Sequence, residues 1–209
     1  MSSLGAMAFV VLWTAIGYLS GAMMFSWLIA RLFLHVDLTR VGDDNPGAYH
    51  LFRIGGFGWG LFGAALDIAK TAAPVLAASY VGVRGWALVP VMIAPVVGHS
   101  YPPWPKLAVG GHGLSASFGV WFALTGLVGP IVLFFSDWFF QYVLVAPTDG
   151  WALVLAMLMM PLGLYAIGAT GPVWVFWALD FALLAWLHRD QLAVPLTVRL
   201  LHRSEVRPS

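Results

Sequence analysis

Asp67 and Lys70 stand three residues apart in a stretch otherwise as apolar as a membrane helix. On a helix that spacing puts a carboxylate and an ammonium on one face, near enough to pair. Inside lipid such ionisable residues mark function, each with a partner to be named. Two polar loops flank them. Val41–Arg53 reads VGDDNPGAYHLFR, with a turn signal at Asp44, Asn45 and Pro46 and with Arg53 at the start of the next helix. Gly98–Gly113 reads GHSYPPWPKLAVGGHG and runs straight into an apolar helix. A glycine-rich approach to a helix N-terminus suits anions, because the unpaired N–H groups and the helix dipole both favour negative charge. The chemistry on offer is recognition of an anionic group, although glycine-rich turns at a membrane surface also serve simply as turns.

Those loops need something rigid to hold them, and the composition says what. Of the 209 residues 61% are hydrophobic and 9% charged, and the mean hydropathy is +0.87, far outside the range of soluble domains. The chain reads as an all-α, polytopic integral membrane helical bundle. Apolar segments fall at about 5–34, 57–82, 86–98, 114–125, 127–146, 150–169 and 172–187, against the roughly 20 residues of a full crossing. Seven helices are expected. The third and fourth are short enough to cross incompletely, and six crossings is the alternative count.

Arg31, Arg40, Arg53, Lys106, Arg189, Arg199, Arg203 and Arg207 all fall on one side of that topology, with only Arg84 opposite. This bias predicts that loops 35–56 and 99–113 and the C-terminal tail are cytoplasmic, with the N-terminus outside, in the cell inner membrane. The first segment has no basic leader and reads as a retained helix. No cysteine is present, so disulfides and thiolate chemistry are excluded. The net charge of +1 singles out no partner class, and nucleic acid is not expected. One membrane-embedded domain, 1–190, is followed by a basic tail, 191–209, whose Leu192, Leu196 and Leu200 suit an amphipathic helix on anionic lipid. Gly17 and Gly21 are spaced as GxxxG, read as tight packing within the bundle rather than a dimer motif.

Four motifs in order resemble those of the bacterial PlsY family, integral-membrane enzymes that transfer a fatty acyl group from acyl phosphate to glycerol 3-phosphate. The family's Asp-Leu-Arg-x-x-Gly-Ser-Gly-Asn-x-Gly-Ala-Thr-Asn-x-x-Arg is similar to Asp37 through Arg53. Its Leu-Asp-x-x-Lys-Gly resembles Leu66 to Thr71, and Gly-His-x-Tyr/Phe-Pro with a closing Gly-Gly-Lys-Gly resembles Gly98–Pro102 and Gly110–Gly113. Its His-Arg-x-Asn-Ile resembles His188–Leu192. The resemblance implies seven membrane helices and a cytoplasm-facing site. There Arg53, His112 and His188 would be catalytic, and Asp43, Asn45, Gly47, His50, Lys70, His99, Gly110, Gly111, Gly113 and Gln191 would bind substrate. Asp67 would be structural. Membrane lipids, acyl phosphate and glycerol 3-phosphate are the implied partners, with no cofactor and no metal.

Departures from the family pattern fall at the site. Asp43 stands in place of a serine, Asp44 of a glycine, His50 of an asparagine, His112 of the lysine and Gln191 of the last asparagine. A phosphate monoester carries nearly two negative charges at neutral pH, and like charges about 4 Å apart repel by roughly 4 kcal/mol at an effective dielectric near 20. Protonated His112 and His50 would offset part of that. His99, His112 and His188 with Asp43 or Asp190 would suit zinc by residue type, but their spacing matches no compact ligand motif. Asp137 and Asp180 lie in apolar segments outside every matched motif and suggest contact with another membrane subunit, or else acids hydrogen-bonded inside the bundle. Three readings follow. One is acyl transfer to glycerol 3-phosphate, another transfer to a less anionic acceptor, and the last an accessory subunit of a larger membrane assembly that keeps the fold without the catalysis.

Overall fold

A computed structural model describes residues 3–41, 47–104 and 110–197. Among them the chain is helical throughout, with no strand: α1 (Ser3–Gly21), α2 (Phe25–Ile29), α3 (Ala48–Tyr80), α4 (Val89–Ser100), α5 (Leu114–Thr125), α6 (Val128–Trp138), α7 (Asp149–Ala166), α8 (Gly171–Leu187) and α9 (Arg189–Leu192). They make seven apolar helical segments, matching the seven read from hydropathy. Ser3–Leu34, Ala48–Tyr80 and Asp149–Ala166 are long and apolar enough to cross a bilayer, whereas Gly85–Ser100, Leu114–Thr125, Val128–Val143 and Gly171–Leu187 are shorter.

Two of the long segments are broken, and the breaks shape the site. The first leaves helical geometry between Gly21 and Phe25, then resumes as α2 and ends in a π-helical turn over Ala30–Leu34. In α3 the break is Gly56, at φ +77° and ψ −177°, a backbone region that essentially glycine alone adopts. An unbroken 33-residue helix would be about 50 Å long, against a hydrocarbon core of roughly 30 Å. The break lets residues 48–55 fold back over the helix that follows. Phe52 lies against Gly60, and Leu51 against Gly63, where no Cβ would fit.

Close approach through glycine also holds α1 to α4. A Cβ on Gly21 would strike the Pro95 backbone, and one on Gly98 the Tyr18 backbone. Gly17 and Gly21 are both buried there, so the GxxxG face is used inside the bundle. Further along the chain, α3 packs on α5 and α6 on α7. Met92, Val96, Val120, Trp121, Leu133, Met157 and Phe176 fill the space between these helices and α8.

Asp180 sits fully buried in that core, accepting from Ser117 Oγ at 2.8 Å and Trp121 Nε1 at 2.9 Å. Of the two roles weighed for it, contact with another subunit is therefore the wrong one, because its oxygens are used within the chain. The expected tail helix is also shorter than its leucine spacing suggested. Helix α9 ends at Leu192, ahead of Pro195, and Leu200 lies outside the described residues. Gln191 and Val194 accept hydrogen bonds from Thr148, Gly150 and Trp151 at the start of α7.

Candidate active site

Two clusters of polar side chains emerge, one sealed and one open. The sealed cluster sits where the first helix breaks. Asp67 Oδ1 accepts from Phe25 N at 3.3 Å, and Oδ2 accepts from Ser26 N at 3.4 Å and Ser26 Oγ at 2.5 Å, so a carboxylate from α3 caps the N-terminus of α2. Lys70 Nζ lies 2.7 Å from Asp67 Oδ1. It also donates to Met23 O at 2.5 Å and to His99 Nδ1 at 3.0 Å. Ser20 Oγ donates to Lys70 O at 2.6 Å, tying the other side of the break to the same turn of α3. The Asp67 and Lys70 side chains are 0% and 2% exposed. Met23 O, Asp67 Oδ1 and His99 Nδ1 thus surround the Lys70 ammonium, and Lys70 is not among the residues that, with His99, line the open cavity.

The open cluster surrounds a cavity of about 640 Å³. Gly47, Ala48 and Tyr49 at the start of α3 line it, as do Gly113, Leu114 and Ser115 at the start of α5, so the ends of both glycine-rich loops meet at one space. His99, at the C-terminal end of α4, and His188, capping α8, complete its polar wall with His112 and Gln191. Ile68, Phe118, Phe134 and Leu153 give it an apolar side.

Glycine sits at the N-cap of both helices that open on the cavity, Gly47 for α3 and Gly113, at φ +88°, for α5. Having no side chain, neither residue can cap its own helix with one, and the first residues of both helices line the cavity, where a positive dipole end favours an anion. The α7 N-terminus also reaches the cavity but is capped, by Thr148 Oγ1 accepting from Trp151 N at 3.3 Å and with Asp149 in its first turn. His188 Nδ1 donates to Leu184 O at 2.8 Å, which fixes the orientation of its ring at the cavity wall. The His112 and His188 rings lie 5.0 Å apart, edge to face.

Gly110 and Gly111 are needed for close approach, since a Cβ on either would collide with His99, its backbone at Gly110 and its ring at Gly111. Gly111 N donates to His99 O at 3.1 Å. Gln191 Oε1 accepts from Gly150 N at 2.6 Å, joining α9 to α7 at the cavity edge. His50 is buried on the first turns of α3. Arg53 is exposed and outside the cavity lining, its guanidinium 5.9 Å from the ring centre of Tyr49, which does line it. Asp43, Asp44 and Asn45 lie outside the described residues.

Motif matching missed part of the wall. Asp137 of α6, Gln141 and Tyr142 of the π-helical turn Phe139–Val143 that follows it, and Asp149 of α7 line the cavity, with Gln141 Nε2 donating to Asp149 Oδ1 at 2.7 Å. The one signal in the sequence was Asp137 itself, an acid in an apolar segment. It lines this cavity.

A helical membrane protein with two helix N-termini and a set of histidines around one cavity is the class these features define. Its family follows from comparison. The sequence profile described as glycerol-3-phosphate acyltransferase matches residues 11–197, and the chain belongs to that family. A glycerol-3-phosphate acyltransferase of Bradyrhizobium sp. (strain BTAi1) is 30% identical over 189 residues, covering 90% of this chain and 92% of that protein. One from Anaeromyxobacter sp. (strain K) is 37% identical over 131 residues, and that match spans 57% of this chain and 64% of the relative. Among solved structures, the glycerol 3-phosphate form of PlsY, an integral membrane glycerol 3-phosphate acyltransferase, is similar with a TM-score of 0.75 and 29% identity, covering 88% of this chain and 90% of that one. Its lysophosphatidic acid form gives 0.74 and 26%, with the same coverage.

Proposed function

We propose that the protein is a membrane acyltransferase that moves an acyl group from acyl phosphate to the hydroxyl of glycerol 3-phosphate, a step of phospholipid synthesis. The observation that carries this reading is that the starts of α3 and α5, at Gly47 and Gly113, line one cavity together with His112 and His188. Two positive dipole ends and two imidazoles suit a phosphate that would be repelled by carboxylates alone. A volume of about 640 Å³ falls within the range of small-molecule sites, and the apolar side formed by Ile68, Phe118 and Phe134 suits the first carbons of an acyl chain.

In this reading the acceptor hydroxyl attacks the acyl carbonyl directly. The new ester bond forms as the acyl–phosphate bond breaks, and the hydroxyl proton leaves with the departing phosphate. The backbone of Gly110–Gly113 and the N-termini of α3 and α5 stabilise the developing charge, and orientation in the cavity supplies much of the rate. Arg53 stands over Tyr49 as the cation at the rim, and Asp43, Asn45 and His50 belong to the same loop and helix start. Seven spans in the inner membrane, with the N-terminus outside and the C-terminus cytoplasmic, put the cavity on the cytoplasmic side, because the loop ends that line it belong to the basic side of the chain.

The full chain in detergent or nanodiscs, given acyl phosphate and labelled glycerol 3-phosphate, is expected to form the labelled monoacyl product. Failure to form it, in both the wild type and the His112→Lys variant, would count against the reading. Product formed only with a neutral alcohol or an amine would move the acceptor to another class.

A further inference from the structure

Lys70 is buried, charged and outside the cavity, so the acyl-transfer reading gives it nothing to do. Its position nevertheless determines the chemistry of a residue that lines the cavity. Met23 O, Asp67 Oδ1 and His99 Nδ1 surround its ammonium at 2.5, 2.7 and 3.0 Å. An ammonium has protons to donate and no lone pair. At the third contact His99 Nδ1 must therefore be the acceptor, and the ring proton must sit on Nε2. The opposite tautomer would set an N–H against the ammonium at 3.0 Å.

His99 itself is 1% exposed, and its ring has little freedom. Gly111 lies so close that a Cβ there would collide with Nε2, so the protonated edge of the ring faces the Gly110–Gly113 turn, just ahead of the open N-terminus of α5. The turn is fastened to the same residue through Gly111 N and His99 O. At the other ring-bearing corner, Leu184 O accepts from His188 Nδ1, which gives His188 the opposite arrangement, with its proton on Nδ1. The two histidines thus carry their ring protons on different nitrogens, Nε2 in His99 and Nδ1 in His188.

We propose that Lys70 is a positioning residue that locks His99 as its Nε2–H tautomer, making it a fixed hydrogen-bond donor to a phosphate oxygen of the substrate beside the α5 N-terminus. The function in turnover rests on the acyl-transfer reading, whereas the tautomer does not. Asp67 keeps the ammonium in place by closing the break in the first helix, so one ion pair serves both the fold and the site. Both acyl phosphate and glycerol 3-phosphate carry the phosphate oxygens that such a donor would meet.

Nitrogen-15 NMR on the full chain labelled at histidine tests the tautomer, with the His99 signals assigned by their loss in His99→Gln. Expected is an unprotonated Nδ1 and a protonated Nε2; a proton on Nδ1, or an even mixture, overturns the proposal. Kinetics test the donor. In His99→Gln the side-chain amide N–H falls near the place of Nε2, whereas in His99→Asn it falls near that of Nδ1. KM should rise in the order wild type, His99→Gln, His99→Asn, with the last at least about tenfold above the second. Acyl phosphate and glycerol 3-phosphate are varied separately, so that the substrate whose KM rises is the one His99 meets. Equal losses for Gln and Asn, or no rise for either substrate, overturn the proposal.

The double variant Asp67→Asn/Lys70→Met removes the lock while leaving the break uncharged. It is expected to scramble the His99 tautomer, an outcome that a merely structural role for Lys70 would not produce. Should that variant fail to fold, the wild-type spectrum and the Gln–Asn pair still decide. Wild-type protein without transferase activity defeats the acyl-transfer reading alone, and active protein with the wrong tautomer defeats this proposal alone.

Discussion

Two helix N-termini in this molecule face opposite fates. At Phe25 the chain supplies a carboxylate from 42 residues away, and Asp67, itself fully buried, accepts from the first two N–H groups of α2. At Leu114 it supplies Gly113, whose missing side chain leaves the start of α5 bare and open to the cavity. The physics at both ends is the same: unsatisfied donors and a positive dipole. Where the protein provides its own anion the helix end is architecture, and where it withholds one the end is ready for a ligand. Helix α7 belongs with the first kind, through Thr148 and Asp149, although it borders the same cavity.

The largest effect expected from breaking this contrast is at the closed end. Asp67→Ala would leave Lys70 charged, buried and without its counter-ion, and would strip the cap from α2. Removing one partner of a buried pair costs about 3–5 kcal/mol, so the thermal midpoint in detergent should collapse or the protein should fail to accumulate. The double variant Asp67→Asn/Lys70→Met should recover much of that loss. A single Ala variant as stable as wild type would mean that the closed end is not architecture.

At the open end a smaller cost is expected, with a different readout. Gly113→Ala forces a side chain onto a residue at φ +88°, with the new Cβ 2.9 Å from Leu184 Cδ2. The backbone term is roughly 1–2 kcal/mol, and the flexible leucine tip can move. Stability should fall modestly while acyl transfer falls much further, because the new methyl and any shift of the turn disturb the first N–H groups of α5. Equal losses of stability and activity would remove the distinction between the two ends.

This same contrast explains what could be read from the sequence and what could not. Hydropathy located all seven helical segments, because burial in lipid demands a continuous apolar run that a window average detects. It did not find the breaks. Residues 5–34 average as one span, and the residue that makes the break tolerable, Asp67, comes from another helix. The pairing of Asp67 with Lys70 follows from i,i+3 spacing, but the third partner of the ammonium, His99, lies 29 residues on, and no local pattern reports it. Motif order brought Gly47, His99, Gly113 and His188 to one site. Asp137, Gln141 and Asp149 escaped because α6 and α7 carry no motif and reach the cavity only through packing.

His112→Lys sharpens the open end in the other direction. Placing a permanent ammonium beside His188, at the position where the related motif has lysine, should strengthen a charge-assisted contact to phosphate. Such bonds are worth about 1.5–3 kcal/mol, so KM for glycerol 3-phosphate is expected to fall by about tenfold or more, with little change in the thermal midpoint. An unchanged or raised KM would show that the cavity does not hold the acceptor's phosphate at this position.

The smallest effect belongs to a carboxylate that closes a turn in water instead of in the bundle. Asp37 Oδ1 accepts from Thr39 Oγ1 at 2.7 Å, Trp27 Nε1 at 3.0 Å and Thr39 N at 3.2 Å, heading the short turn Leu38–Arg40. These bonds, the Thr39 hydroxyl first, hold its pKa below the ordinary carboxylate value of 3.8 against the opposing effect of burial, which outweighs any one of the remaining bonds. A depressed value in the folded state means that the contribution to stability is complete above the unfolded pKa and is lost as pH falls through the folded one. Asp37→Asn should therefore be slightly less stable than wild type at neutral pH, and the two thermal midpoints should converge as the medium is acidified below about pH 4. With Arg40 3.8 Å away and its side chain 85% exposed, the ion pair adds little, and Arg40→Gln should change almost nothing. A gap between wild type and Asp37→Asn as wide as that for Asp67→Ala would mean that dryness is not what makes the closed end costly to break.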